Sequence, residues 1–467
     1  MNTRVFPGFV LFAAVSCIAA AEPVKLHPDN GHYLLWRGRP TILIGSTEHY
    51  GAVLNSEFDY VKYLKTLQAD SMTLTRTFSG AYCEPFGAFN IHNNTLAPAA
   101  GKLLCPWARS DQDGYKGGGN KFDLTRFDAA YFARLKDFVA RADKAGVVVE
   151  FVLFCPFYED AMWDLSPMKA ANNIQGVGTM KREEVYTLKH PDLLAVQDAM
   201  VRKVVAELKD FDNLYYEICN EPYFGGVTLD WQAHIAQTIT DAEKPLGVRH
   251  LIAQNIANDH AKVENANPNV SIFNFHYAKP PVTVAENYAL NRVIADDETG
   301  FAGSEDKTYR IEGWNFILAG GGIYDNLDYS FQVGKEDGTG EVKAPGGGSV
   351  AFRRQMRILK DFIHSFDFVR MKPDNSVVAG PLPAKASAYV LAQPGKAYAL
   401  YFSGCSGPVE IKLNLPKGKY RAEWLDTKTG QVAKSDNNVD AAAAPCTLTA
   451  PGFADDIALR ITGGGQP

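Results

Sequence analysis

Two glutamates in this chain of 467 residues stand where carboxylates can share the work of acid and nucleophile. Glu221 follows the apolar run of "NLYYEICNEPYF" (213–224), where Tyr215, Tyr216 and Ile218 favour a strand and Pro222 ends its ladder. Glu298 closes a second such run, "RVIADDETG" (292–300). A protonated carboxyl and an ionised one, set across a small gap, can protonate a leaving oxygen and attack the carbon that bears it. Either glutamate alone reads as a solvated charge at a strand end. At matching strand ends, the two predict a pair that flanks one ligand.

The second run offers three acids: Asp296, Asp297 and Glu298. Strict alternation puts Asp296 and Glu298 on one face and turns Asp297 toward surrounding helices. Glu298 has the longer reach, and Gly300 is expected to leave room for the ligand. An ionised nucleophile needs a cation nearby. Arg76, ending "SMTLTRTFSG" (71–80), is the candidate; a structural ion pair with Glu217 is the alternative.

Elements must carry these groups to one place. Strands are predicted to start near 41, 71, 147, 213, 249, 270, 292 and 322. "VVVEFVLFCPF" (147–157) lacks polar alternation, as a strand buried on both faces does. Helices lie between most of them. One carries Tyr131, Leu135, Phe138, Val139 and Ala142 on a stripe and stops at Gly146; another opens at Pro191. Ser56 and Asp230 are the expected caps of two more. The simplest assembly is α/β, a (β/α)₈ TIM barrel, which puts both glutamates at the C-terminal mouth. A doubly wound open sheet is the runner-up, but no G-x-G-x-x-G follows the first strand. After Pro373 the pattern changes to short strands between Gly-, Pro- and Asp-rich turns, "SAYVLAQPGKAYALYFSG" among them. The expected division is a barrel over 22–368 and a small all-β sandwich over 369–467.

Residues 1–21 read as a signal peptide, with Arg4 before "VFPGFVLFAAVSCIAA" and small residues at Ala19–Ala21. The chain is therefore expected to be secreted or periplasmic, with a lipid anchor on Cys17 as a minor alternative. No segment is long and apolar enough to predict a membrane span. Export permits disulfides, and Cys83 with Cys105 and Cys405 with Cys446 are the expected pairs; Cys155 and Cys219 read as buried thiols. A net charge of −6 without a basic stripe argues against nucleic acid as a partner. There is no H-x-H, H-E-x-x-H or G-x-S-x-G, so neither a metal nor a serine elbow is expected, and no cofactor.

The phrase "YYEICNEP" resembles the Asn-Glu-Pro signature of the retaining glycoside hydrolases of clan A, the cellulase-type barrels. Residues 209–222 look closest to the apiosidase-like branch, and "YALYFSG…YRAEWLDTKTGQ" resembles its C-terminal collagen-binding-type β-domain. The resemblance covers nearly all of the mature chain. It implies a poly- or oligosaccharide substrate, Glu221 as general acid/base, Glu298 as nucleophile, and Asn220 on a sugar 2-hydroxyl. Arg76 matches the arginine that keeps the nucleophile ionised, and His276 the strand-six histidine. The family's His-x-Tyr is here "HYA", so Tyr277 stands one position early. The eighth strand lacks the family's tryptophan and has Tyr324, Asn326 and Asp328, of which Tyr324 is the expected sugar contact. Loops 79–123 and 156–190, with Trp107, Tyr115, Tyr158 and Trp163, are expected to wall the pocket. A glycan-binding protein on an inactive barrel and a transglycosylase with the same residues are the alternatives.

Overall fold

The computed structural model describes residues 22–463; the expected signal peptide and Cys17 lie outside them. Eight parallel strands form the central sheet: β1 (Leu43–Ile44), β2 (Leu74–Phe78), β3 (Val148–Phe154), β4 (Leu214–Cys219), β5 (Ile252–Asn258), β6 (Ile272–His276), β7 (Val293–Glu298) and β8 (Ile323–Tyr324). Each pairs with its chain neighbour from β2 to β8, and β8 pairs with β1. Thr73 joins β1 to β2: its N–H donates to the Ile44 carbonyl at 3.0 Å, and its Oγ1 accepts from the Ile44 N–H at 2.9 Å. The result is the (β/α)₈ TIM barrel expected from the alternation.

Among the described residues, seven helices of six or more residues surround it: α1 (Tyr60–Asp70), α2 (Ala129–Ala145), α3 (Pro191–Leu208), α4 (Leu229–Glu243), α5 (Val282–Asn287), α6 (Asp306–Leu318) and α7 (Val350–Ile363). The α2 stripe is buried as patterned, and Gly146 ends the helix at φ 73°. Two caps differ from expectation: Asp59, not Ser56, accepts from the first turn of α1, and Thr228, not Asp230, caps α4. No helix lies between β5 and β6, where residues 259–271 run as loop. No helix among the described residues is long and apolar enough to cross a membrane.

Strand alternation sorts the barrel interior into layers. Leu43, Leu74, Val148, Tyr215, Ile272 and Val293 make an apolar floor, closed from below by Val24 and Leu34 of an N-terminal hairpin. Two residues further along their strands come Arg76, Glu150, Glu217 and Asn274, all fully buried. The mouth lies above them.

After the barrel, strands within 372–463 form a six-stranded and a three-stranded antiparallel sheet with their own apolar core, the expected sandwich. It is fastened to α6. Arg310 pairs with Asp456 at 2.6 Å, both buried, and Trp314 stacks on Tyr401. Tyr401 and Thr427 also donate to Asp456.

All six cysteines among the described residues are free thiols, so neither expected disulfide forms. Cys405 follows a strand of the larger sheet while Cys446 begins a strand of the smaller one. Cys105 donates to the Trp107 carbonyl instead, at 3.5 Å.

Candidate active site

Glu221 and Glu298 meet at the C-terminal mouth of the barrel. They line a cavity of about 410 Å³ with Asn220, Tyr277, Tyr50 and Tyr158. Reactive oxygens of the two carboxylates and one ring nitrogen of His276 lie within 4.8 Å of one another.

The Glu221 carboxyl is held by three partners. Tyr158 donates to Oε2 at 2.6 Å and Tyr223 to Oε1 at 3.2 Å. His276 Nδ1 is 3.1 Å from Oε1. Burial works against charge on Glu221, but the imidazole and the two hydroxyls outweigh it and hold the carboxyl below its ordinary value. Burial also works against charge on His276, yet the negative Glu298 and the bond to Glu221 raise it to about 9. At neutral pH the proton of this pair therefore rests on the imidazole. His276 Nδ1, 3.1 Å from Oε1, is near enough to pass a proton to Glu221.

Glu298 is gripped by four groups. Tyr277 donates to Oε1 at 2.5 Å; Tyr50 donates to Oε2 at 2.9 Å. Arg76 Nη1 reaches Oε2 at 3.2 Å, and His276 Nδ1 lies 3.5 Å from Oε1. Arg76 thus contacts both carboxylates named for it: it also donates from Nε to Glu217 at 3.0 Å, and from Nη2 to Asn220 Oδ1 at 2.7 Å. Asn220 in turn donates to the Tyr158 hydroxyl at 2.9 Å, so its amide ties the two carboxylate settings together.

Alternation fails at the end of β7. Opposite β6, Phe275 pairs with Asp296 and His276 with Glu298, which leaves Asp297 as an extra residue in a bulge. Asp297 turns inward, accepts from Asn274 and faces His276 Nε2 at 3.5 Å. Asp296 turns outward, where burial and the charge of Glu312 on α6 push its carboxyl well above the usual range. The expected faces of the two aspartates are therefore exchanged. Gly300 gives no room to a ligand: at φ +134°, a Cβ there would meet Leu327 Cβ at 2.8 Å.

Backbone strain concentrates at the site. Tyr50, Glu221 and Tyr277 have φ of 62°, 35° and 57°. Such conformations cost about 1–3 kcal/mol each and persist where the surroundings over-determine them. At Tyr277 the left-handed turn brings the hydroxyl to Glu298 although the residue stands one position early.

Not every expected residue arrives. Tyr324 is buried away from the cavity: its ring packs on Gly313, and its hydroxyl donates to the Tyr309 carbonyl at 2.9 Å. Of the loop aromatics, Tyr158 lines the cavity, while Trp107, Tyr115 and Trp163 are buried among other side chains. The sequence reading missed Tyr50, His49, Glu84 and Tyr223. The "EHYG" run at 48–51 sits at the mouth of β1, and that position was the available signal.

Glu221, His276 and Glu298 also have the spacing of a metal triad, as do Glu150, Glu217 and Asp297. In the first set a cation would compete with four tyrosine hydroxyls and the Arg76 guanidinium. That donor set suits carboxylates kept for chemistry rather than for coordination.

No protein-family model matches the sequence, and no curated protein matches it. Solved structures do match. One described as "Glycoside hydrolase" aligns over 96% of this chain and 98% of its own, at 15% identity and a TM-score of 0.65. A glycoside hydrolase family 5 protein from Bacteroides vulgatus ATCC 8482 aligns over 95% and 94%, at 14% identity and 0.66. The fold is that of glycoside hydrolase barrels. A mutant form of a family 5 mannosidase from Rhizomucor miehei aligns over 73% of this chain and 99% of its own, at 11% identity and 0.51. The first two likenesses run through the β-sandwich as well as the barrel.

Proposed function

We propose that this protein is an exported retaining glycoside hydrolase acting on a β-linked glycan, with Glu221 as acid/base and Glu298 as nucleophile. The observation that carries this reading is the carboxylate pair, whose reactive oxygens lie within 4.8 Å across a cavity. Retaining enzymes hold their carboxyls about 5–5.5 Å apart, whereas inverting ones need roughly 6.5–9.5 Å to admit a water between them.

In the first step, a Glu298 oxygen attacks the anomeric carbon as the glycosidic C–O bond breaks. The leaving oxygen takes the proton that Glu221 has received from His276. In the second, water attacks the same carbon, Glu221 accepts its proton, and Glu298 leaves as carboxylate. Arg76, Tyr50 and Tyr277 donate hydrogen bonds to the Glu298 carboxylate at both ends of the cycle. Asn220 lines the cavity, which supports assigning it the 2-hydroxyl. The division into a catalytic barrel (22–368) and an accessory sandwich (369–467), and the affinity with the apiosidase-like branch through residues 209–222, belong to the same proposal.

The test is a panel of 4-nitrophenyl β-glycosides with NMR observation of the first-formed anomer. Release of the β-anomer is expected. Release of the α-anomer refutes the retaining mechanism, and no turnover of any glycoside or polysaccharide refutes the enzyme.

A further inference from the structure

Where the barrel lacks a helix after β5, a second hollow of about 620 Å³ opens between α4, the end of β5 and the loop at 262–267. It abuts the cavity above at Tyr223 and Asn258. Tyr223 lines the hollow, Asn258 lines the cavity, and the Tyr223 hydroxyl lies 2.5 Å from Asn258 Oδ1 and 3.2 Å from Glu221 Oε1, its one proton serving either acceptor. The hollow thus lies on the Glu221 side, where a leaving group protonated by that residue would emerge.

Its lining is rich in amides: Gln232, Gln254, Asn255, Asn265 and Asn267. Gln254 Nε2 donates to Gln232 Oε1 at 2.9 Å. This leaves a donor, Gln232 Nε2, and an acceptor, Gln254 Oε1, without partners among the described residues. Unmet amide donors and acceptors side by side suit hydroxyls, which both give and take a hydrogen bond. Lys262 is opposed by Asp230 and Glu264, so the lining has no surplus of cation for an anionic ligand. Leu229 and Tyr223 add apolar surface for a sugar face.

We propose that this hollow is a subsite for neutral sugar units on the leaving-group side of the scissile bond, so that the preferred substrates are oligosaccharides extending past Tyr223. The inference rests on the assignment of Glu221 as acid/base. Its test uses the mature full-length chain carrying Glu298→Gln, to stop turnover, with and without Ala233→Trp. Ala233 is exposed on α4 and lines the hollow, so the indole fills the space without touching the catalytic groups. Gluco-, manno- and xylo-oligosaccharides of two to six units are titrated calorimetrically into both proteins. Affinity is expected to rise at least tenfold with length in one series, and Ala233→Trp is expected to abolish that gain. Affinity that does not change with length, a gain that survives the block, or no binding in any series overturns the inference. Hydrolysis by the protein with Glu298 intact is read separately: length-dependent binding without turnover refutes the enzyme and leaves the hollow as a glycan site.

Discussion

His276 stands between the two carboxylates, with Nδ1 3.1 Å from Glu221 and 3.5 Å from Glu298. One imidazole therefore feels both charges, and replacing it changes stability as well as chemistry. Its folded pKa of about 9 lies above the ordinary 6.5. Charged His276 thus contributes stability that is full below about pH 6.5 and is lost as pH rises through 9. His276→Gln should lower the urea midpoint clearly at pH 6, and the penalty should shrink by pH 10. A penalty independent of pH would show that packing, not charge, is what the histidine provides.

Glu221→Gln should keep the fold and lose proton donation. Turnover of glycosides with poor leaving groups should fall by about 10²–10⁴-fold, with a much smaller loss on activated aryl glycosides. Azide should restore the second step and yield a glycosyl azide. Equal losses on both substrate types, with no azide product, would remove Glu221 from the acid/base role.

A 2-fluoro glycoside of the right sugar should label Glu298. Peptide mapping by mass spectrometry locates the adduct. Asp297 is the informative competitor, because the bulge turns it inward beside His276. A label there would move the nucleophile by one residue and keep the retaining mechanism.

Tyr277→Phe removes a hydrogen bond to a carboxylate. Such bonds contribute about 1.5–3 kcal/mol, or roughly 10–150-fold. The expected loss is in kcat, with KM little changed, because the hydroxyl acts on Glu298 rather than on the sugar. A loss confined to KM would make Tyr277 a substrate contact.

Much of this was legible in the sequence. A strand such as 148–154, apolar but for Glu150 and without polar alternation, announces a parallel sheet, and Asn220, Glu221 and Pro222 mark a strand mouth. Arg76 lies in β2 and reaches Glu298 as expected. The failures share a cause. Alternation carries no sign of a bulge, so the faces of Asp296 and Asp297 came out reversed. Tyr324 was assigned from its strand alone, and its inward or outward phase depends on the register of a two-residue strand. Cysteine spacing says nothing of which sheet each thiol joins, and Cys405 and Cys446 are associated with different ones. Tyr50 and Tyr223 reach the carboxylates through loop conformations that no periodicity encodes.

Arg310→Ala should destabilise the protein by about 3–5 kcal/mol, since it leaves Asp456 buried with no opposing charge. Lys307→Ala on the same helix as Arg310, which breaks an exposed pair with Asp455 of the sandwich, should change little. Guanidinium unfolding of both variants makes the comparison, and similar small losses would show the buried pair to be dispensable.

The Arg310–Asp456 pair also bears on how the molecule comes apart. Modules joined by a slack linker melt separately and can be cut apart and recombined. Here neither side can leave without stranding a charge and uncovering the face that Trp314 and Tyr401 share. The helix so anchored is α6, which follows the strand that ends in Glu298. Barrel and sandwich should therefore melt as one cooperative unit with a single heat-absorption peak, and loosening the sandwich should slacken the support of the strand that ends in Glu298.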